Sequence, residues 1–145
     1  MTSKQGRVLL VIAAVVEVST AFAHLSCIYF GPQCYSAQMA PNQIVESAKD
    51  GSMFAPLATI VVSAIFLVFA AYALSGAQLI RKLPVLRFGI YSIALLCVVR
   101  GLLPLQLWLR KPERVSDLVL YVGIVWLIVG LLFFFGYRAM YAKRA

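Results

Sequence analysis

The sequence predicts an all-α fold, an integral membrane bundle of four helices with both chain termini in the cytoplasm. Two observations lead to this prediction. Hydrophobic residues make up 63% of the 145-residue chain, and charged residues only 12%. A soluble domain of this length has too much surface to bury so many apolar side chains, so lipid must solvate part of it. Four separate apolar runs are also long enough to cross a hydrocarbon core, which takes about 20 residues.

The whole chain, residues 1–145, is predicted to form one transmembrane domain. The runs must be helices, because backbone groups in lipid need internal partners and the runs are too apolar for barrel strands. The first run contains Glu17 and ends without a small-residue cleavage site, so it is predicted to be a span and not a signal peptide. The predicted spans cover residues 8–29, 53–74, 88–109 and 118–140.

Lysine and arginine residues at the ends of the runs predict the orientation, because such residues are in excess in cytoplasmic loops. The side with fewer of them holds Lys49, Arg110, Lys111 and Arg114. The side with more is therefore predicted to be cytoplasmic, and it holds Lys4, Arg7, Arg81, Lys82, Arg87, Arg138, Lys143 and Arg144.

The net charge of +8 lies at these membrane boundaries, so anionic lipid is the expected partner and nucleic acid is not. The connection between the second and third spans is the most basic. Anionic head groups are predicted to bind there at Arg81, Lys82 and Arg87. Pro84 interrupts helicity in the same connection.

The first connection, residues 30–52, is the only long one and is predicted to lie outside. Within it, Asn42 is suited to cap the start of a short helix and Gly51 to end it. Ile44 and Val45 give this helix an apolar face, which predicts that it lies flat at the membrane interface. A lid packed on the bundle is the alternative.

Two cysteines, Cys27 and Cys34, flank a turn that contains Gly31 and Pro32. A structural disulfide between them is plausible if the loop faces an oxidising compartment. A catalytic thiol pair is the alternative, although the spacing is wider than in a CxxC motif. A reactive thiol of low pKa would favour the catalytic pair, and an inert bridge would favour the structural one.

Glu17 and Arg100 lie near the middle of the first and third spans, where a charged side chain is costly and is therefore a candidate functional site. Their depths are close enough to predict a contact. Pro104 cannot donate a hydrogen bond to the Arg100 carbonyl, so a kink is predicted beside the arginine. The predicted polar seam around this pair consists of Thr20, His24, Thr59, Ser63 and Ser92.

The middle third of the chain resembles a group of small, uncharacterised four-helix inner-membrane proteins of bacteria. The resemblance rests on a Tyr-Ala-Leu-Ser-Gly-Ala run at residues 72–77, an Ile-Arg pair at 80–81, a Leu-Pro-x-Leu-Arg turn at 83–87 and an Arg-Gly-Leu at 100–102. Residues 40–41 and 47–51 look similar as well. The resemblance implies a bacterial inner membrane and a four-helix bundle, and it implies no activity.

Three functions remain open at this point. The first is a membrane scaffold or accessory subunit without enzymatic activity, in which Glu17 and Arg100 form a structural ion pair and the chain forms a homo-oligomer or joins a larger complex. The second is a small proton- or ligand-coupled transporter that uses the same two residues. The third is a thiol-redox membrane protein that uses Cys27 and Cys34. No cofactor or metal is expected, since His24 is the only histidine.

Overall fold

All regular structure in the described part of the chain is helical. The computed structural model describes residues 1–141, apart from the side chain of Arg114, so Lys143 and Arg144 of the predicted cytoplasmic side lie outside the described residues. The elements in order are α1 (Ser3–Phe30), α2 (Pro32–Ala37), α3 (Asn42–Lys49), α4 (Phe54–Gly76), α5 (Leu86–Arg110), a 3-10 helix (Pro112–Arg114) and α6 (Asp117–Tyr141).

The four long helices, α1, α4, α5 and α6, are long and apolar enough to cross a membrane, which confirms the predicted all-α fold with four helices of membrane-spanning length. Three of these helices extend beyond their predicted spans at both ends, whereas α4 begins one residue later than predicted and ends two residues later. The largest extension is in α1, which begins at Ser3. There the Thr2 hydroxyl accepts a hydrogen bond from the Gln5 amide, and the Gln5 side chain accepts one from the Thr2 amide. This reciprocal capping box starts the helix before the apolar run does.

The first connection contains two short helices where one was predicted. Gly31 has a positive φ of 75°, which ends α1, and Pro32 then begins α2. The predicted helix is α3, but the prediction that Asn42 caps it was wrong. Pro41 occupies the cap position, and no side chain caps the helix. At the other end Gly51, with a φ of 67°, closes α3 with the two backbone bonds of a Schellman motif.

The described residues fall into two compact units. The terminal unit consists of Met1–Ala14 and Ala71–Ala145, described as far as Tyr141, and the central unit consists of Val15–Ala70. The prediction of one transmembrane domain over residues 1–145 stays a prediction.

In the terminal unit, α5 and α6 pack with their backbones in close approach. A Cβ added to Gly101 would lie 2.5 Å from the Leu127 amide nitrogen and 2.6 Å from the Gly123 carbonyl oxygen. A Cβ on Gly130 would lie 2.8 Å from the Ala94 carbonyl oxygen. Small residues at such positions let membrane helices gain van der Waals contact that larger side chains would prevent. The fully buried side chains of this unit include Leu10, Ile90 and Phe133.

The basic connection between α4 and α5 also belongs to the terminal unit and is held by side chains of α4. The buried Ser75 hydroxyl donates to the Arg81 carbonyl at 3.1 Å and accepts from the Leu83 amide at 3.0 Å. The Tyr72 hydroxyl donates to the Pro84 carbonyl at 3.2 Å. Val85, which precedes α5, has a φ of 45°, a left-handed conformation that is strained for a β-branched residue.

In the central unit, the first connection folds onto the ends of α1 and α4. Its core consists of Cys27, Tyr35, Val45 and Ala55, all buried. The Ser47 hydroxyl accepts a hydrogen bond from the Ala55 amide at 2.9 Å, which satisfies a free donor at the start of α4. The α2–α3 segment is therefore packed against the helix ends through an apolar core. This packing is the lid arrangement, and the predicted position at the membrane interface stays a prediction.

Candidate functional site

Glu17 is the candidate functional residue of the central unit. Its side chain is 0% exposed, and neither carboxylate oxygen has a hydrogen-bond partner among the described residues. Buried side-chain oxygens nearly always have a partner, so each exception requires an explanation. Glu17 also lies about midway along α1, which spans 28 residues.

The hydroxyl groups of the predicted seam that lie in this unit are already bonded to backbone carbonyls. Thr20 donates to the Val16 carbonyl at 2.8 Å, and Thr59 donates to the Ala55 carbonyl at 2.8 Å, in each case four residues back in the same helix. Such bonds satisfy the hydroxyl at membrane depth without a partner from another helix.

Ser63 joins two helices of the unit. Its buried hydroxyl on α4 donates to the Ala21 carbonyl on α1 at 3.2 Å. Glu17 lies four residues before Ala21, so the two share one face of α1. The carboxyl group therefore lies one helical turn from the contact between α1 and α4.

His24 also bonds within its own helix and not to a loop. Its Nδ1 atom is 2.9 Å from the Thr20 carbonyl oxygen, so Nδ1 carries the hydrogen and donates. The imidazole also lies 5.2 Å from the ring of Phe66, centroid to centroid. Among the described residues no cluster of three metal-binding side chains occurs.

Cys27 and Cys34 form a disulfide, with their Cα atoms 5.1 Å apart. Cys27 is fully buried in the apolar core of the central unit, and Cys34 packs against that core. Gly31 supplies the turn that brings the two cysteines together. The sulfur atoms therefore form a covalent link inside a packed core, which is the setting of a structural bridge.

Two residues of this unit play roles that the sequence did not reveal. The Tyr35 and Thr59 hydroxyls lie 3.1 Å apart and link α2 to α4, with Tyr35 as the donor because Thr59 gives its one proton to the Ala55 carbonyl. The Gln38 amide donates to the Ala23 carbonyl at 2.6 Å. The only feature of the sequence that could have pointed to these two residues was their position in a long connection that contains a cysteine. These bonds and the disulfide tie α2 to both long helices of the unit.

Arg100 and Ser92 belong to the terminal unit, whereas Glu17 and the other residues of the predicted seam belong to the central unit. The predicted pair and seam are thus divided between the two units. Arg100 is exposed and lines a groove on the surface of α5, and Ser92 lines a second groove nearer the start of the same helix. The contact between Glu17 and Arg100 stays a prediction.

Comparison with known proteins adds no assignment. No protein-family model, no curated protein and no solved structure matches the chain. The chemistry of Glu17 must therefore be argued from the geometry alone.

Proposed function

We propose that this multi-pass membrane protein is a small proton-coupled carrier of a bacterial inner membrane, in which Glu17 binds and releases the coupling proton. One observation carries the proposal: a carboxyl group midway along a helix long enough to cross a membrane is fully buried and has no hydrogen-bond partner among the described residues. Ionisable side chains in this setting are expensive and typically mark proton or substrate pathways.

The protonated form of Glu17 is the less costly form in this conformation. An ionised carboxylate buried without a partner pays a large desolvation cost, whereas a neutral carboxyl group pays a much smaller one. The ionised form then requires a second conformation, in which the carboxylate reaches water or a cation. Because the two conformations differ in their affinity for a proton, protonation shifts the equilibrium between them.

The conformational change that this mechanism needs is a rearrangement between α1 and α4. The Ser63–Ala21 hydrogen bond is a single cross-helix bond beside Glu17, and such bonds in membrane proteins contribute only about 0.6 kcal/mol on average. The disulfide and the Tyr35–Thr59 bond tie the first connection to the helix ends. Movement of α1 against α4 is therefore expected at the level of Glu17 and not at the helix ends that the first connection joins.

Infrared spectroscopy of the protein in lipid vesicles tests the protonation of Glu17 directly. A protonated buried carboxyl group absorbs as a separate carbonyl stretch, and that band should be absent in Glu17→Gln. Proteoliposomes that contain a pH-sensitive dye should also show a proton flux in the wild type that Glu17→Gln abolishes and Glu17→Asp partly retains. The proposal would be overturned if the infrared spectra show only ionised Glu17. It would also be overturned if the proton flux in Glu17→Gln equals that of the wild type.

A scaffold or accessory subunit is the second candidate, and a different observation favours it. The hydroxyl groups of Thr20, Thr59 and Ser63 all donate to backbone carbonyls, so they are engaged in holding the fold and not in lining a path. Co-purification of a stoichiometric membrane partner, together with no proton flux in any variant, would support this candidate over the carrier.

The orientation with both termini in the cytoplasm is part of the proposal. It rests on the excess of basic residues on that side, including Arg81 and Lys82, exposed in the connection between α4 and α5, and Arg87, exposed in the first turn of α5. Alkaline phosphatase fused to the C-terminus should be inactive in a bacterial host, and the same enzyme inserted after Met39 should be active. The opposite pattern would reverse the orientation.

A further inference from the structure

We infer that the groove on α5 lined by Arg100, Gln106 and Arg110 binds the phosphate group of an anionic phospholipid. This site is separate from Glu17 and does not depend on the carrier proposal. The groove has a volume of about 440 Å³, and its remaining walls are apolar. Those walls are formed by Leu103, Pro104, Leu107 and, from α6, Val119.

The charge of the groove is unbalanced. Arg100 and Arg110 are both exposed, and neither forms an ion pair with any described residue. The lining contains no acidic side chain. Arginine stays charged in proteins, so the groove presents two permanent positive charges that an anion must neutralise.

The depth of the groove points to lipid as the source of that anion. Arg100 and Arg110 are ten positions apart in α5, so the groove reaches about 15 Å along the helix axis from the end of α5 into the membrane-spanning part. Leu103 is 56% exposed and Leu107 is 44% exposed on this face, so acyl chains can lie against them. A soluble phosphate ion would gain nothing from these apolar walls.

The groups in the groove match a phosphodiester. Side chains of a helix tilt toward its N-terminus, so Arg110 leans back over the groove, one turn from Gln106. A guanidinium and a side-chain amide together donate hydrogen bonds to the two free phosphate oxygens. Arg100 lies ten positions before Arg110 and by the same rule leans away from it, so it attracts the phosphate through the low-dielectric groove without contacting it.

Electron spin resonance of spin-labelled lipids tests the inference in the membrane itself. The protein is reconstituted in dioleoylphosphatidylcholine vesicles, and the association of spin-labelled phosphatidylglycerol is compared with that of spin-labelled phosphatidylcholine. The wild type should prefer phosphatidylglycerol. Arg110→Gln should lower the preference by about fivefold, the effect expected for loss of one basic side chain near a membrane surface. Arg100→Gln removes a charge that lies deeper and does not contact the phosphate, so it should lower the preference by less.

Lys49→Gln is the matched control, because it removes one exposed positive charge that is already paired with Glu46. It should leave the preference unchanged. Arg110 lies at the exposed end of its helix, so Arg110→Gln is expected to fold even if Arg100→Gln does not, and Arg100→Lys then serves as the second test at the deeper position.

Three results would overturn the inference. One is equal association of the two lipids with the wild type. Another is a loss of preference confined to Arg87→Gln, which would assign the selectivity to the basic connection at the other end of α5. The third is abolition of the preference by excess inorganic phosphate, which would show that the groove takes the free ion and not the lipid.

Discussion

Replacement of Glu17 by methionine should stabilise the protein, and the sign of the effect decides between two accounts of this residue. Both carboxylate oxygens are buried without a partner, and an unsatisfied buried polar group costs about 1–3 kcal/mol. Methionine has a similar length and no such group. The free energy of unfolding of Glu17→Met should therefore rise by about 1–3 kcal/mol.

A structural ion pair predicts the opposite. If Glu17 neutralised Arg100 in the folded protein, removing the carboxylate would leave a buried charge unpaired and lower the free energy of unfolding by about 3–5 kcal/mol. In that case, the double variant Glu17→Met/Arg100→Met should recover most of the loss, because neither charge remains. The two accounts thus differ by at least about 4 kcal/mol.

Reversible unfolding in mixed detergent micelles, followed by far-ultraviolet circular dichroism, measures this difference. Val15→Met is the matched control on the same helix, since Val15 is 59% exposed and its replacement should change the free energy by no more than about 0.5 kcal/mol. A loss of about 3 kcal/mol or more in Glu17→Met, reversed in the double variant, would refute the unpartnered carboxyl and with it the carrier mechanism.

Three further predictions concern the fold. Cys27→Ala/Cys34→Ala should lower the free energy of unfolding by about 2.5 kcal/mol, the loop-closure value for a bridge between residues seven apart in sequence. Thermal unfolding of the oxidised wild type and of the variant measures this difference. Gly101→Ala should lower it by about 1–3 kcal/mol, because the added Cβ would overlap the backbone of α6 at Leu127, and micelle unfolding should show this loss. Val85→Gly should raise it by roughly 1 kcal/mol in the same assay, because glycine relieves the left-handed strain.

Controls separate these effects from general sensitivity to substitution. Cys97→Ala removes the buried cysteine that lies outside the disulfide and should respond to a reducing agent no differently from the wild type. Val99→Ala, at an exposed position of α5, should cost less than Gly101→Ala. If Gly101→Ala leaves the free energy of unfolding unchanged, α5 and α6 do not approach as closely as described. A destabilising Val85→Gly would mean that the left-handed conformation is not strained.

The membrane-spanning helices were predictable from the sequence because lipid imposes a simple rule of length and apolar composition. The helix ends were less predictable, because hydrogen bonds fix them and hydropathy does not register hydrogen bonds. The Thr2–Gln5 capping box placed the start of α1 at Ser3. Asn42 looked like a helix cap by residue type, yet Pro41 holds that position.

The candidate site was predictable only in part, for a related reason. Helical spacing identified Glu17 and the hydroxyl groups on its face, since that periodicity is written in the sequence. It could not show that Ser63 would bond to Ala21 or Thr59 to Tyr35, because those contacts depend on how the first connection folds. The exposure of Arg100 was hidden as well, since spacing alone does not tell which face of a helix meets lipid.

The backbone contact between α5 and α6 has a consequence for the order of folding. The two helices are joined by only six residues, 111–116, and their backbones approach each other closely at Gly101 and Gly130. Contacts between segments close in sequence form with little loss of chain entropy. We expect α5 and α6 to associate as a hairpin soon after insertion and to provide the surface onto which the N-terminal residues of the terminal unit, through Gly6 and Leu10 against Gly136, then pack.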